Sequence, residues 1–220
     1  MGPESGNGRP IIRDAIGIGA ATGAWGLSFG AISTAAGLTV LQTCALSLLM
    51  FSGASEFAMV SIVGGGGSPW AGAAAAVLLG SRNALYGLRL SSLLGRQTGR
   101  RLVAAHLVID ESTAMAIAAP SEETAPLAFW ATGVAIFILW NLGTLIGAVG
   151  AQLVPGPRTL GLDAAAPAAF LALLAPRMRG RRPWTIALTA ALVAVASVPF
   201  VPAGVPILMA ALVTIALGWR

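Results

Sequence analysis

Charge is what this sequence has least of. Only 10% of its 220 residues are charged, Lys is absent, Cys, His and Tyr occur once each, and 56% of residues are hydrophobic. So little charge excludes a soluble domain of this length and leaves an integral membrane protein. The formal charge of +5 comes from thirteen basic residues that are all Arg and cluster between apolar runs. With no basic, aromatic-laced face, that pattern points to membrane orientation and away from nucleic acid. A lone Cys44 excludes an intrachain disulfide and a thiolate metal cluster, and its apolar surroundings give it a packing role. The run of glycines at 64 to 67 is not followed by Lys and Ser or Thr, so no loop cradles phosphate and ATP is not the direct driver. Neither a cofactor nor a metal is expected.

What is present are apolar segments at about 15 to 37, 39 to 63, 69 to 94, 102 to 119, 127 to 150, 164 to 176, 184 to 200 and 203 to 218. Most are long enough for a hydrocarbon core of about 30 Å, which takes roughly 20 helical residues, and none alternates as a barrel strand does. The expected fold is an all-α, polytopic helical bundle of about seven (six to eight) transmembrane segments. Residues 1–14 read as a short polar tail and residues 15–220 as a single transmembrane domain.

The loops create a parity problem. RQTGRR at 96 to 101 and RMRGRR at 177 to 182 are basic and are expected on the cytoplasmic side, whereas acidic SEETAP at 121 to 126 is expected outside. Three apolar segments separate the Arg9/Arg13 tail from the first basic loop, and three separate the two basic loops. An odd number cannot join two loops on one side. Either the tail is outside or some segments are broken or re-entrant, which is tolerated where protein or a water-filled cavity satisfies the freed backbone. Candidate breaks are Gly64 to Gly67, the polar centre of 102 to 119, and the short segment ending at Pro176. Gly19/Gly23 and Gly26/Gly30 place small residues four apart on the first helix, a packing device.

Ionisable residues inside apolar runs are expensive, on the order of 2.5 to 3.5 kcal/mol each at mid-helix, and therefore call for a reason. Arg82, Tyr86 and Arg89 fall at i, i+4 and i+7, with Asn83 beside them; His106 and Asp110 are four apart, with Glu111 turned away. Glu56 stands alone in FSGASEFAMV. Arg82 reads either as the partner of Glu56 or Asp110 or as a fork for a substrate carboxylate. Arg89 snorkels to the interface, and His106 is an interfacial histidine. Glu56 and Asp110 are candidates for a pathway or a proton relay.

FSGASEFA, SPWAGAAAAVLLGSRNALYGLRLS, VIDESTAMA, WNLGTLIGAVG and GLDAAAPAAFLALLAP occur in that order. Together they resemble the AzlC family, the large permease subunit of branched-chain amino acid exporters, over roughly residues 12 to 220. The resemblance implies a multi-pass permease of the bacterial inner membrane that exports leucine, isoleucine, valine and similar apolar amino acids beside a small hydrophobic subunit of the AzlD type. A homo-oligomer is compatible with it. The chain departs from the family pattern at Glu56, where Gln is commoner, which moves the coupling role toward Asp110 or Glu111.

The expected site has Ser55 and Glu56 at a second helix interrupted by Gly53, lining a polar cavity with Arg82, Asn83, Tyr86, Asp110, Glu111 and Ser112. A zwitterion would place its carboxylate on Arg82 or a half-helix N-terminus and its ammonium on Glu56 or Asp110, with its side chain on the apolar bundle. Export would proceed by proton-coupled alternating access. Rival readings are a channel or exporter for another small solute and, more remotely, an intramembrane serine protease built on Ser55 and His106. Glu56 stands after the serine where such a protease needs a small Gly.

Overall fold

A computed structural model describes residues 8–94, 98–153, 171, 174–175, 178–202 and 204–218. The expected segment 164 to 176, with most of the GLDAAAPAAFLALLAP block, lies outside the described residues apart from isolated positions. The described residues form helices and turns, with no strand among them. The helices are α1 (Arg9–Ala35), α2 (Val40–Met50), α3 (Gly53–Gly64), α4 (Pro69–Leu90), α5 (Thr98–Leu107), α6 (Asp110–Ile117), α7 (Ala125–Leu153), α8 (Arg181–Ser197) and α9 (Val205–Gly218). Among the described residues, only α1 and α7 are both long and apolar enough to cross a membrane by length and composition. Helix α1 starts at Arg9, inside the expected polar tail, because Pro10 occupies the first turn, where its missing N–H costs nothing.

These two long helices form the most extensive contact in the bundle, and they run parallel. A methyl built on Gly19 would lie 3.1 Å from Ala135, one on Gly23 would lie 2.9 Å from the Leu139 carbonyl, and one on Gly26 would lie 2.6 Å from that of Trp140. Further along, Gly30 faces the backbone of Thr144. Both sequences ascend together, so both helices point the same way. The packing is reciprocal, since Gly143 and Gly147 abut the backbone of Gly23 and Leu27. Small residues let two backbones approach this closely, as the sequence spacing predicts.

Neither short pair of helices behaves as a single broken rod. Descending from its capping box at Thr39 and Gln42, α2 places Ser47 against Thr144, at 3.4 Å between hydroxyls, and Phe51 against Phe137, with ring centroids 5.0 Å apart. It therefore runs against α7. Ascending, α3 sets Gly53 against the Trp140 ring, Phe57 against Phe29, and Gly64 against Ala36, two residues before the chain leaves for α2. A cleft bounded by Leu38 and Gln42 on one side and by Met59 and Val63 on the other confirms that the two limbs share an end. With 11 and 12 residues the limbs span about 16 to 18 Å, less than half the length of the 27-residue α1. The tip is a single sharp turn, with Phe51 left-handed at φ 37 and Ser52 extended.

Helices α5 and α6 form a second such hairpin, inserted from the other end. Ascending with α7, α5 lays Arg100 over Trp130, 5.4 Å from the ring centroid, and sets Leu107 against Gly133. Val108 and Ile109 break the helix, and Ser112 Oγ holds the break by accepting from Ile109 N at 3.1 Å and donating to Leu107 O at 2.7 Å. From there α6 must descend. Ala118 and Ala125 are seven residues apart, a reach of at most about 25 Å, too short for an ascending α6 to return to the start of α7.

Helix α4 runs antiparallel to α3, with Gly72 facing Met59 and Gly80 facing Ser55, and so connects the two ends of the bundle. A long helix followed by a half-length hairpin thus occurs twice, as α1 with α2 and α3, and as α4 with α5 and α6, in opposite orientations. Helices α8 and α9 pair antiparallel, with Arg182 Nη2 3.4 Å from the Leu217 carbonyl, and Gly204 between them abuts Ile62 and Ala71.

This folding corrects the expected sidedness. Because α5 and α6 return to the end they left, the acidic loop at Glu122 and Glu123 shares its end with Arg9, Arg100 and Arg101. Gly64 to Gly67, a candidate break, is the exit turn from α3, with Gly66 at φ 83. The other candidate break within the described residues, in 102 to 119, falls at Val108 and Ile109.

Candidate functional site

The two hairpin tips meet halfway along the bundle, where the Phe51 ring packs on His106 with centroids 5.7 Å apart. Beside that junction lies a cavity of about 480 Å³. Its polar wall is Arg82, Asn83 and Tyr86 from α4 with Asp110 and Glu111 from the first turn of α6. Facing them, Trp25 from α1, Phe51 and Phe57 from the first hairpin, and Ile136 from α7 make an apolar wall. Gly53 lines it at the start of α3.

Local structure explains why the polar groups converge. The i, i+4 stripe of α4 turns Arg82 and Tyr86 to one side, while Arg89 sits exposed in the helix's last turn. Breaking α5 from α6 at Ile109 puts Asp110 and Glu111 at a helix N-terminus, where the macrodipole favours carboxylates. Arg82 Nη2 reaches Asp110 Oδ2 at 3.1 Å, and both side chains are more than a third exposed, at 39% and 36%. A pair that accessible to water is worth on the order of 1 kcal/mol or less, so it opens at little cost.

Three of the sequence-predicted residues stand behind the cavity. Glu56 is fully buried; its Oε2 accepts from Trp140 Nε1 at 2.9 Å and its Oε1 from Ser52 N at 3.3 Å. Ser55 is buried, with its hydroxyl 3.2 Å from that of Ser52, and Ser112 is spent on the α5/α6 break. Glu56 therefore ties the tip of the first hairpin to α7, and it is Ser52 and Trp140, its partners, that reach the cavity surface. His106 packs on Phe51 and Phe137, and no hydrogen bond among the described residues joins it to Ser55, so the residues of a serine protease dyad are each engaged elsewhere.

Sequence reasoning missed Trp25, Ser52, Ile136 and Trp140. Trp140 carried a signal, since a buried indole N–H seeks an acceptor and few exist inside an apolar run. No cluster of three or more potential metal ligands occurs among the described residues.

Residues 17–154 match the family model described as AzlC protein, well over half of the chain and every element that builds the cavity. The chain belongs to the AzlC family. It is accordingly a membrane protein of a family associated with amino acid transport and export. The match stops before the GLDAAAPAAFLALLAP block. No curated protein and no solved structure matches this chain.

Proposed function

We propose that this AzlC-family chain is a secondary transporter that exports branched-chain amino acids across the bacterial inner membrane by alternating access. The observation that carries the reading is the cavity between two oppositely inserted hairpin tips. It is charged on one wall and apolar on the other, and it is reached by half-helices, the arrangement transporters use to hold a substrate near the bilayer midplane. A zwitterion with an aliphatic side chain matches both walls. In this reading α1 and α7 cross the membrane together with α4, whose 22 residues are long enough although Arg82 and Arg89 make it less apolar, and each hairpin enters and leaves from one face. The two hairpins are then the natural gates, one tethered through Glu56 and Trp140, the other through Asp110 and Arg82. Proton entry drives export, with Asp110 or Glu111 as the coupling carboxylate, and a small AzlD-type subunit completes the exporter.

The test is efflux of leucine, isoleucine and valine from dipeptide-loaded cells lacking their own exporter, under a set pH gradient, with the chain and its small partner expressed together and apart. Efflux that needs both chains and collapses in Asp110→Asn is the expected result. Efflux no faster than in cells without the chain, for every apolar amino acid, would overturn the function. Saturable efflux indifferent to the pH gradient would overturn the coupling alone.

A further inference from the structure

The cavity's polar wall is not uniform. Arg82 Nε, Asp110 Oδ1 and Asn83 Oδ1 are buried atoms without a hydrogen-bond partner among the described residues, although each side chain belongs to a residue on the cavity surface. Eight buried side-chain atoms among the described residues lack a partner, and three of them gather at this one cavity, which points to a ligand that satisfies them there. Two are acceptors and one is a donor. Glu111, on the same wall, has a carboxylate that takes no part in an ion pair among the described residues.

We propose that Asn83, Asp110 and Glu111 form a cage for the primary ammonium group of the substrate, so that this end of the cavity selects the ligand. The inference rests on the transporter reading above and deepens it. A primary ammonium donates three hydrogen bonds. The wall offers three acceptor groups for them, two of them carboxylates. With both carboxyls ionised, Asp110 and Glu111 against Arg82 leave one net negative charge on that wall, which favours a cation. The carboxylate end of the ligand meets the unpartnered Nε of Arg82, while its Nη2 stays on Asp110. Glu56, a sequence-level candidate for the ammonium, is committed to Trp140 and Ser52 and takes no part. Selection by unpaired buried acceptors is stringent, because a ligand lacking the donor leaves them unsatisfied.

Full-length chain in lipid nanodiscs is titrated with radiolabelled leucine and competed with 3-methylbutylamine, which keeps only the ammonium, or 4-methylpentanoate, which keeps only the carboxylate. The amine is expected to displace leucine at concentrations where the acid does not. Glu111→Gln weakens leucine and the amine by about tenfold, and Asn83→Leu does so more weakly, with thermal unfolding unchanged as proof of folding. Wild-type leucine affinity in both variants, or an acid that competes as well as the amine, would overturn the cage. Glu111-dependent binding of the amine without binding of any apolar amino acid would keep the cage and overturn the exporter. Binding of neither would overturn both.

Discussion

Glu56 shows how far a single residue can be read. A carboxylate in an apolar run was conspicuous in the sequence, and its burial followed from that run, but its role did not. Its partner Trp140 lies 84 residues away and acquires meaning only once α7 packs beside α3. Arg82 and Asp110 were more legible because helical spacing alone set each on a polar face, and their pairing was one of two partnerships considered. The Glu56 tether makes a prediction graded by the hydrogen bonds lost. Glu56→Gln keeps an oxygen for the indole N–H but turns its NH2 toward Ser52 N–H, so it strands one donor and should lower the melting temperature by about half as much as a variant that strands both. Glu56→Leu strands two buried N–H donors, at about 1 to 3 kcal/mol each, and should lower the melting temperature by several degrees. Thermal unfolding in detergent measures both. A Leu variant as stable as wild type would mean the tether contributes nothing.

At the scale of elements, the breaks were legible and the folding back was not. Gly53 and the polar centre of 102 to 119 marked where helices stop, but a run of about 25 residues has the length of one crossing or of two half-length limbs, and composition is the same for either. What decides is packing partners distant in sequence. Ala36 beside Gly64 closes the first hairpin, and the short link from Ala118 to Ala125 closes the second. The small residues of α1 were read correctly as a packing device, whereas their counterparts Gly143 and Gly147 on α7 passed unnoticed. At Gly147 a methyl would collide with the backbone carbonyl of Leu27, and backbone cannot step aside as a side chain can. Gly147→Ala should therefore destabilise the protein by about 1 to 3 kcal/mol, while Gly150→Ala, with open space around it, gains helix propensity and should not. Equal melting temperatures for the two variants would argue that α1 and α7 are not pressed together as described.

Across the whole molecule, the parity problem posed by the arginines dissolves if hairpins do not cross. Arg9, Arg13, Arg100 and Arg101 then share one end of the bundle, and the turns at the opposite end, 36 to 39 and 65 to 68, carry no charge. Arginine bias sets orientation and acidic residues contribute little to it, so Glu122 and Glu123 do not pull their loop outward. The end bearing the arginines is thus expected to face the cytoplasm. Single cysteines placed at Gly99, Ser121 and Ser68 in a Cys44→Ala background test this with a membrane-impermeant maleimide on intact cells. Gly99 lies in the first turn of α5, Ser121 between α6 and α7, and Ser68 at the start of α4, all exposed. Ser68→Cys should react from outside, and the other two only after the membrane is permeabilised. The decisive comparison is between Gly99 and Ser121, which flank the second hairpin. If they react from opposite sides, α5 and α6 cross the membrane together, the two tips do not meet as opposed half-helices, and the cavity between them loses its claim to be a gated substrate site.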